Sequence, residues 1–308
     1  MNRFDQALRG GGVLIADGAM GTQIEERRRA DGSTSPISPE AALLESTETI
    51  RSIHADYVRA GADAILTCTF GASRLRLRKL GLESRFGTIH RTAVEVAREA
   101  AGPDGIVLGS LGPLGELLSP SGKLSRNEAT SLYGERAVVL AETGQVDAIL
   151  VETQYDLGEV EAAVEAVRAS CALPVIVTMS FDTRGRTMMG VSPEAMAAAL
   201  VAEGIEVMGA NCGRSMEETF EAVCRIRAAA PDAWVWAKPN AGLPRVIGDR
   251  AVYDLTPAAF ASWAKRFVAE GVRVFGGCCG TTPEHIAAAA QAVRGQRPPR
   301  GSKGRLTG

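Results

Sequence analysis

Short aliphatic runs alternate with longer amphipathic stretches along almost the whole chain. The runs cover residues 13–16, 64–67, 106–109, 148–151, 175–179, 206–210, 234–237 and 273–275, and each ends in small or polar residues. The stretches 47–60, 85–101, 127–143, 157–170, 193–202, 216–229, 257–269 and 283–293 carry apolar side chains at helical spacing. Ser192, Thr256 and Thr282 each stand before a proline, which sets a cap residue ahead of a first helical turn. Strand alternating with helix predicts a parallel sheet. Eight such units predict an α/β fold, a single (β/α)8 TIM barrel. A doubly wound open sheet usually carries a GxGxxG phosphate loop after its first strand, and this chain has none.

Two segments leave the alternation. Residues 27–40 (RRRADGSTSPISPE) are polar and rich in Gly, Ser and Pro, and read as an extended loop and candidate lid over the C-terminal ends of the strands. Residues 295–308 are basic and Pro/Gly-rich and read as a disordered tail, or as an interdomain linker. The expectation is therefore one barrel domain over 1–294 followed by a tail. Composition narrows the partners. The net charge of -2 excludes a globally basic nucleic-acid binder, and 45% hydrophobic with 23% charged residues excludes global disorder. No run approaches the ~18 apolar residues of a membrane span, and the N-terminus has no signal-peptide core. A soluble cytoplasmic protein is expected, with neither nucleic acid nor membrane as partner.

In a barrel the chemistry collects where strands end. Asp17 follows the first strand, Thr67 the second, Ser110 the third, Glu152 the fourth, Asn211-Cys212-Gly213 the sixth, Lys238 the seventh, and Gly276-Gly277-Cys278-Cys279-Gly280 the eighth. Three cysteines thus converge on one face. Glycines around the vicinal pair let the backbone turn both sulfurs inward, and a disulfide between neighbours would need a strained ring. Three thiolates suit a soft or borderline metal, with zinc on Cys212, Cys278 and Cys279 and a fourth position open for substrate. The alternative is three buried, inert thiols. An all-thiolate site softens Lewis acidity and favours binding a substrate thiol over activating water. The three histidines, His54, His90 and His285, fall inside predicted helices and read as surface or packing residues. Cys68, Cys171 and Cys224 read as structural; Cys68 is placed on the strand face away from Thr67 and Thr69. Lys238 is left without a role.

Asp17 and Glu152 face the same mouth, either as a general acid/base pair or as a grip for an α-ammonium group. The backbone N–H groups of Gly18 and Ala19, with the Thr67 hydroxyl, could receive a carboxylate. An amino acid bearing a thiol satisfies all three elements.

Together these residues resemble the zinc-dependent homocysteine S-methyltransferase family, and within it the homocysteine-binding domain of cobalamin-dependent methionine synthases. The pieces that carry the resemblance are ADGAMGTQ (16–23), GADAILTCTFGASRLRLRKLGL (61–82), GSLGPLGE (109–116), DAILVETQYDLGEVEAAV (147–164), MSFDTRGRTMMG (179–190), GANCG (209–213), KPNAGLP (238–244) and GVRVFGGCCGTTPEHI (271–286). The resemblance implies a (β/α)8 barrel with zinc on Cys212, Cys278 and Cys279. It implies homocysteine as methyl acceptor, its amino group on Asp17 and Glu152 and its carboxylate on Thr67 and the Gly18–Ala19 backbone. Gly71 stands where the betaine-using branch has an aromatic residue, which argues against betaine as donor. Gly213-Arg214-Ser215-Met216 replaces the apolar–Gly–Pro run of methionine synthases. The folate, cobalamin and reactivation modules of those enzymes are not in this sequence, so the expected donor is external: a methyl-corrinoid protein, methylcobalamin, or a sulfonium such as S-methylmethionine. Two rival readings remain open at this point. One is a corrinoid-linked methyltransferase or demethylase for another substrate; the other is a redox sensor built on the vicinal cysteines.

Overall fold

The structure, a computed structural model, describes residues 2–33, 37–248 and 250–299. Its main sheet has eight parallel strands: β1 (Leu14–Ile15), β2 (Ala64–Leu66), β3 (Ile106–Leu111), β4 (Ala148–Gln154), β5 (Val175–Met179), β6 (Val207–Cys212), β7 (Trp234–Pro239) and β10 (Val272–Phe275). They pair in the order β1-β10-β7-β6-β5-β4-β3-β2. A parallel bridge between Ala16 and Ala64 joins the two ends of that order and closes the barrel, with the Asp17 N–H donating to the Ala64 carbonyl at 3.0 Å. The (β/α)8 expectation is met. The remaining strands, β8 (Arg245–Ile247) and β9 (Arg250–Val252), form an antiparallel hairpin in the loop after β7.

Side chains of successive strand residues point to opposite faces, and the apolar residues divide accordingly. Leu66, Leu108, Leu150, Trp236 and Val274 fill the barrel interior, while Ile65, Val107, Ile149, Val235 and Phe275 pack outward under the helices. A helix absent from the sequence reading, Arg3–Arg9, lays Phe4 and Leu8 against the interior cluster and closes the barrel at the N-terminal ends of its strands. The buried Arg273 holds that helix by donating to the carbonyls of Ala7 and Leu8 at 2.7 and 2.9 Å.

Two expectations need correction. Residues 27–30 belong to the helix Gly21–Ala30, and residues 39 and 40 begin the helix Pro39–Glu45. The segment is thus mostly helical, with a short link over 31–38, of which 34–36 lie outside the described residues. Ser38 caps the second helix by accepting from the Ala41 N–H with Pro39 in its first turn, the same Ser/Thr-Pro signal that reads correctly at 192, 256 and 282. Glu40 is buried rather than solvated, and its Oε1 accepts from the Gly71 N–H at 3.0 Å. At the other end, residues 295–299 fold back on the barrel. The Gln296 carbonyl accepts from the Val13 N–H, and the Pro299 carbonyl from the Arg227 guanidinium. The rest of the expected tail, 300–308, lies outside the described residues.

Candidate active site

Four inward positions lie two residues beyond interior apolar or glycine positions on the same strand faces. Ser110 follows Leu108, Glu152 follows Leu150, Asn211 follows Gly209, and Lys238 follows Trp236. With Asp17 at the end of β1 they make the barrel interior polar at its C-terminal end. A cavity of about 260 Å³ opens there, lined by Asp17, Glu152, Lys238 and the three cysteines Cys212, Cys278 and Cys279. That is below the ~300–1,000 Å³ of pockets for drug-sized ligands and matches an amino-acid-sized guest.

The sulfurs of Cys212, Cys278 and Cys279 all lie within 4.8 Å of one another and could hold a metal ion. Cys212 ends β6 with a left-handed backbone, φ 58. The Cys278 N–H donates to the Pro239 carbonyl at 2.8 Å, and the Cys279 N–H to Asn240 Oδ1 at 3.0 Å. Asn240 also donates to the Gly213 carbonyl at 2.7 Å, so one side chain spans the loops after β6 and β10. Gly280 has φ 77, and a Cβ there would lie 2.1 Å from the Tyr253 ring, so the glycine lets the turn fit. Hydrogen bonds from Cys212 and Cys278 pull the Cys279 thiol strongly down, while donating to its two neighbours, together with burial, pushes the Cys212 thiol well up. The Tyr253 hydroxyl adds a further hydrogen bond to Cys279.

Asp17 and Glu152 are both buried in the cavity wall. They are not equivalent. Asp17 Oδ2 accepts from the Leu66 N–H at 2.8 Å, and Oδ1 lies 2.5 Å from Lys238 Nζ. Burial alone would lower the Lys238 ammonium, but Asp17 and Glu152 more than offset it and hold the group above its ordinary value. Among the described residues no cation is in hydrogen-bond contact with Glu152; its Oε1 accepts from the Ser110 hydroxyl at 2.5 Å. Burial lifts its carboxyl to about 7, against the pull of Lys238 and Ser110. Of the two carboxylates, only Asp17 has a salt-bridge partner among the described residues.

The expected carboxylate contacts are only partly there. The Ala19 N–H already donates to Thr281 Oγ1 at 3.0 Å. Thr69 gives its proton to the Ser110 carbonyl, so the Thr67 hydroxyl donates to Thr69 and accepts from the Ser110 N–H. In this arrangement, without substrate, the Thr67 hydroxyl spends its proton on Thr69. Gly18 lines the cavity as expected, and a Cβ on it would lie 2.6 Å from the Tyr57 ring. Tyr57 fixes this turn by donating to the carbonyl of Ala19 at 2.7 Å.

Cys68 also lines the cavity, contrary to its expected orientation, because β2 ends at Leu66 and the strict alternation ends with it. Its thiol sits 3.8 Å from the Pro39 carbonyl, and burial pushes it well up, so it stays protonated. Gly71 is explained by packing: a Cβ there would lie 2.5 Å from Glu40 Oε1. His54, His90 and His285 are buried packing residues. The sequence reading gave no role to Lys238 or Asn211, and missed Tyr57, Thr281 and the buried Arg136, whose guanidinium donates to the Thr69 and Gly112 carbonyls.

Three convergent cysteines beside a buried carboxylate, opening on a small cavity at the C-terminal ends of barrel strands, have the layout of an enzyme's active site. Comparison with known proteins names the class: the homocysteine S-methyltransferase profile matches residues 14–293, and the chain belongs to that family of methyltransferases. It is 34% identical over 295 residues to the methionine synthase of Mycobacterium tuberculosis and 33% identical over 295 residues to that of Mycobacterium leprae. Each match takes in 91% of this chain but 24% of the relative, so the chain spans about a quarter of the length of these relatives. Among solved structures, the metallated form of the homocysteine methyltransferase MmuM from Escherichia coli superposes with a TM-score of 0.77 at 26% identity, covering 94% of this chain and 99% of that one. Membership in an enzyme family removes the need for the redox-sensor alternative. Among the described residues no helix is long and apolar enough to cross a membrane.

Proposed function

We propose that the protein transfers a methyl group to the thiol of L-homocysteine, forming methionine, with zinc held by Cys212, Cys278 and Cys279. The observation that carries this reading is that the three-sulfur cluster and the unpaired, buried Glu152 open on one cavity of amino-acid size. The three sulfurs lie within 4.8 Å of one another, and Cys212 Sγ and Cys278 Sγ, 2.9 Å apart, would spread to the roughly 3.8 Å set by ~2.3 Å zinc–sulfur bonds at tetrahedral angles. Zinc bound there would stabilise the substrate's sulfur as a thiolate nucleophilic enough to attack an activated methyl group.

The chain's own residues do the positioning. Glu152, once ionised, receives the α-ammonium, and Ser110 holds that carboxylate in place. Asp17, already neutralised by Lys238, supplies a second acceptor without adding an unpaired charge. The Gly18 turn, braced by Tyr57 and Thr281, forms the wall on the side of the substrate's carboxylate. The apolar barrel interior beneath excludes water from below. A cavity this small does not admit a corrinoid, so a methyl-corrinoid protein, methylcobalamin or S-methylmethionine would present its methyl group at the mouth. We place this chemistry in the cytoplasm, where thiols stay reduced.

The test is a methyl-transfer assay on the zinc-loaded protein with L-homocysteine and a donor panel of methylcobalamin and S-methylmethionine, alongside metal analysis. Methionine formation that disappears on chelation and returns with zinc is the expected result. Full activity of Cys278→Ala without bound metal would end the proposal.

A further inference from the structure

We infer that Asn211 is a positioning residue, a single amide that fixes the metal-binding thiol of Cys212 and the amine-receiving carboxylate of Glu152 relative to each other. The inference rests on the proposed function and deepens it.

Asn211 is buried, and every hydrogen-bonding position of its amide is engaged. Its Oδ1 accepts from the Thr153 N–H at 2.9 Å and from the Thr178 hydroxyl at 2.6 Å. Its Nδ2 donates to Thr153 Oγ1 at 2.7 Å and to Cys212 Sγ at 3.7 Å. The residues it grips are unusual. Thr153 and Cys212 both have φ 58, and the only other non-glycine residue with positive φ among the described residues is Arg184, in a surface turn. A β-branched threonine in that region is an outlier that its surroundings must enforce. Here the enforcing group is visible: two contacts from Asn211 to Thr153, one to its backbone and one to its side chain. Thr153 directly follows Glu152, and Cys212 directly follows Asn211. The turned ends of β4 and β6 are therefore tied by one side chain, with Thr178 of β5 as the third point of attachment.

The tie has two arms that can be cut separately. Toward Cys212 it offers an N–H to the sulfur at 3.7 Å, which orients that side chain. Toward Thr153 it holds the strand end that aims Glu152 into the cavity. Asn211→Asp keeps an oxygen for Thr153 and Thr178 but turns an oxygen instead of an N–H toward Cys212. Asn211→Ala removes both arms.

Cobalt(II), which reports thiolate ligation through its charge-transfer absorption, is the probe for the first arm. Both variants should bind Co(II) about 10–100-fold more weakly than the parent, with an altered thiolate band. The second arm is read from binding of L-homocysteine against 4-mercaptobutanoate, which has the same thiol and carboxylate without the amine. The parent's preference for the amine-bearing thiol should persist in Asn211→Asp and shrink in Asn211→Ala. Parent-like cobalt affinity and spectrum in Asn211→Asp would overturn the metal arm. An undiminished amine preference in Asn211→Ala would overturn the link to Glu152. If Asn211→Ala does not fold, Asn211→Ser replaces it in the same comparison. A parent without any amine preference would overturn the proposed function and the amine arm with it, and the cobalt titration would still decide the metal arm.

Discussion

The barrel interior has two storeys built on the same strands. In the lower one Leu108, Leu150 and Trp236 point inward and pack against Phe4 and Leu8. Two residues further along, the same faces present Ser110, Glu152 and Lys238. The backbone is continuous up to the turned strand ends at Thr153 and Cys212, so side-chain chemistry is what chiefly separates a packed core from the cavity above it. The apolar storey is non-directional and held by area. The polar storey is held by directed contacts, each needing a partner from another strand. Damage to the first should therefore cost stability and spare ligand binding, and damage to the second should do the reverse, unless it leaves a charge unpaired.

The largest effect is expected at the rim. Cys278→Ser should abolish stoichiometric metal binding and take methyl transfer to background while the circular dichroism spectrum stays that of the parent; metal analysis and the donor assay check both. Next comes the exception. Asp17 and Lys238 are both about 4% exposed at the side chain, so Lys238→Met leaves a buried carboxylate without its cation. It should lower unfolding free energy by ~3–5 kcal/mol, and most of that loss should vanish in an Asp17→Asn background, as a denaturation double-mutant cycle would show. Leu150→Ala should cost ~2–5 kcal/mol by opening a cavity in the lower storey, with cobalt affinity unchanged. Loss of metal binding there would break the distinction between the storeys.

The most gradual effect is a slope in pH. The Glu152 carboxyl lies at about 7 in the folded protein against an ordinary 4.5, so the folded state holds the extra proton between those values. Its contribution to stability therefore falls as pH rises from about 4.5 to 7 and is level above that. Glu152→Gln removes that slope. Receiving an ammonium requires the ionised carboxylate, so the KM for homocysteine should fall as pH rises through about 7, and Glu152→Gln should show a high KM without that dependence.

The barrel was legible because its signal is periodic and local. Runs such as Ile106–Leu111 and the amphipathic stretches between them need no knowledge of distant residues. The cysteines were legible because adjacent thiols between glycines are rare and chemically specific. Lys238 was visible at the end of its strand, but its meaning lies in Asp17, 221 positions away, and no pattern along the chain links the two. Asn211 stood in plain view beside Cys212, yet its function depends on a turn at Thr153, 58 positions earlier. The helix Pro39–Glu45 was missed for another reason: polar, Pro-rich surroundings outweighed a valid Ser38-Pro39 cap.

Filled by Leu66, Leu108, Leu150 and Trp236 and covered below by the short helix Arg3–Arg9, the barrel is a cup open at its upper end. Under the proposed function, thiol, methyl donor and methylated product share one doorway. A donor too large to enter the cup must leave the rim before the product can depart. Turnover in such a vessel would be ordered by traffic as much as by chemistry, because the packed storey below closes the other end.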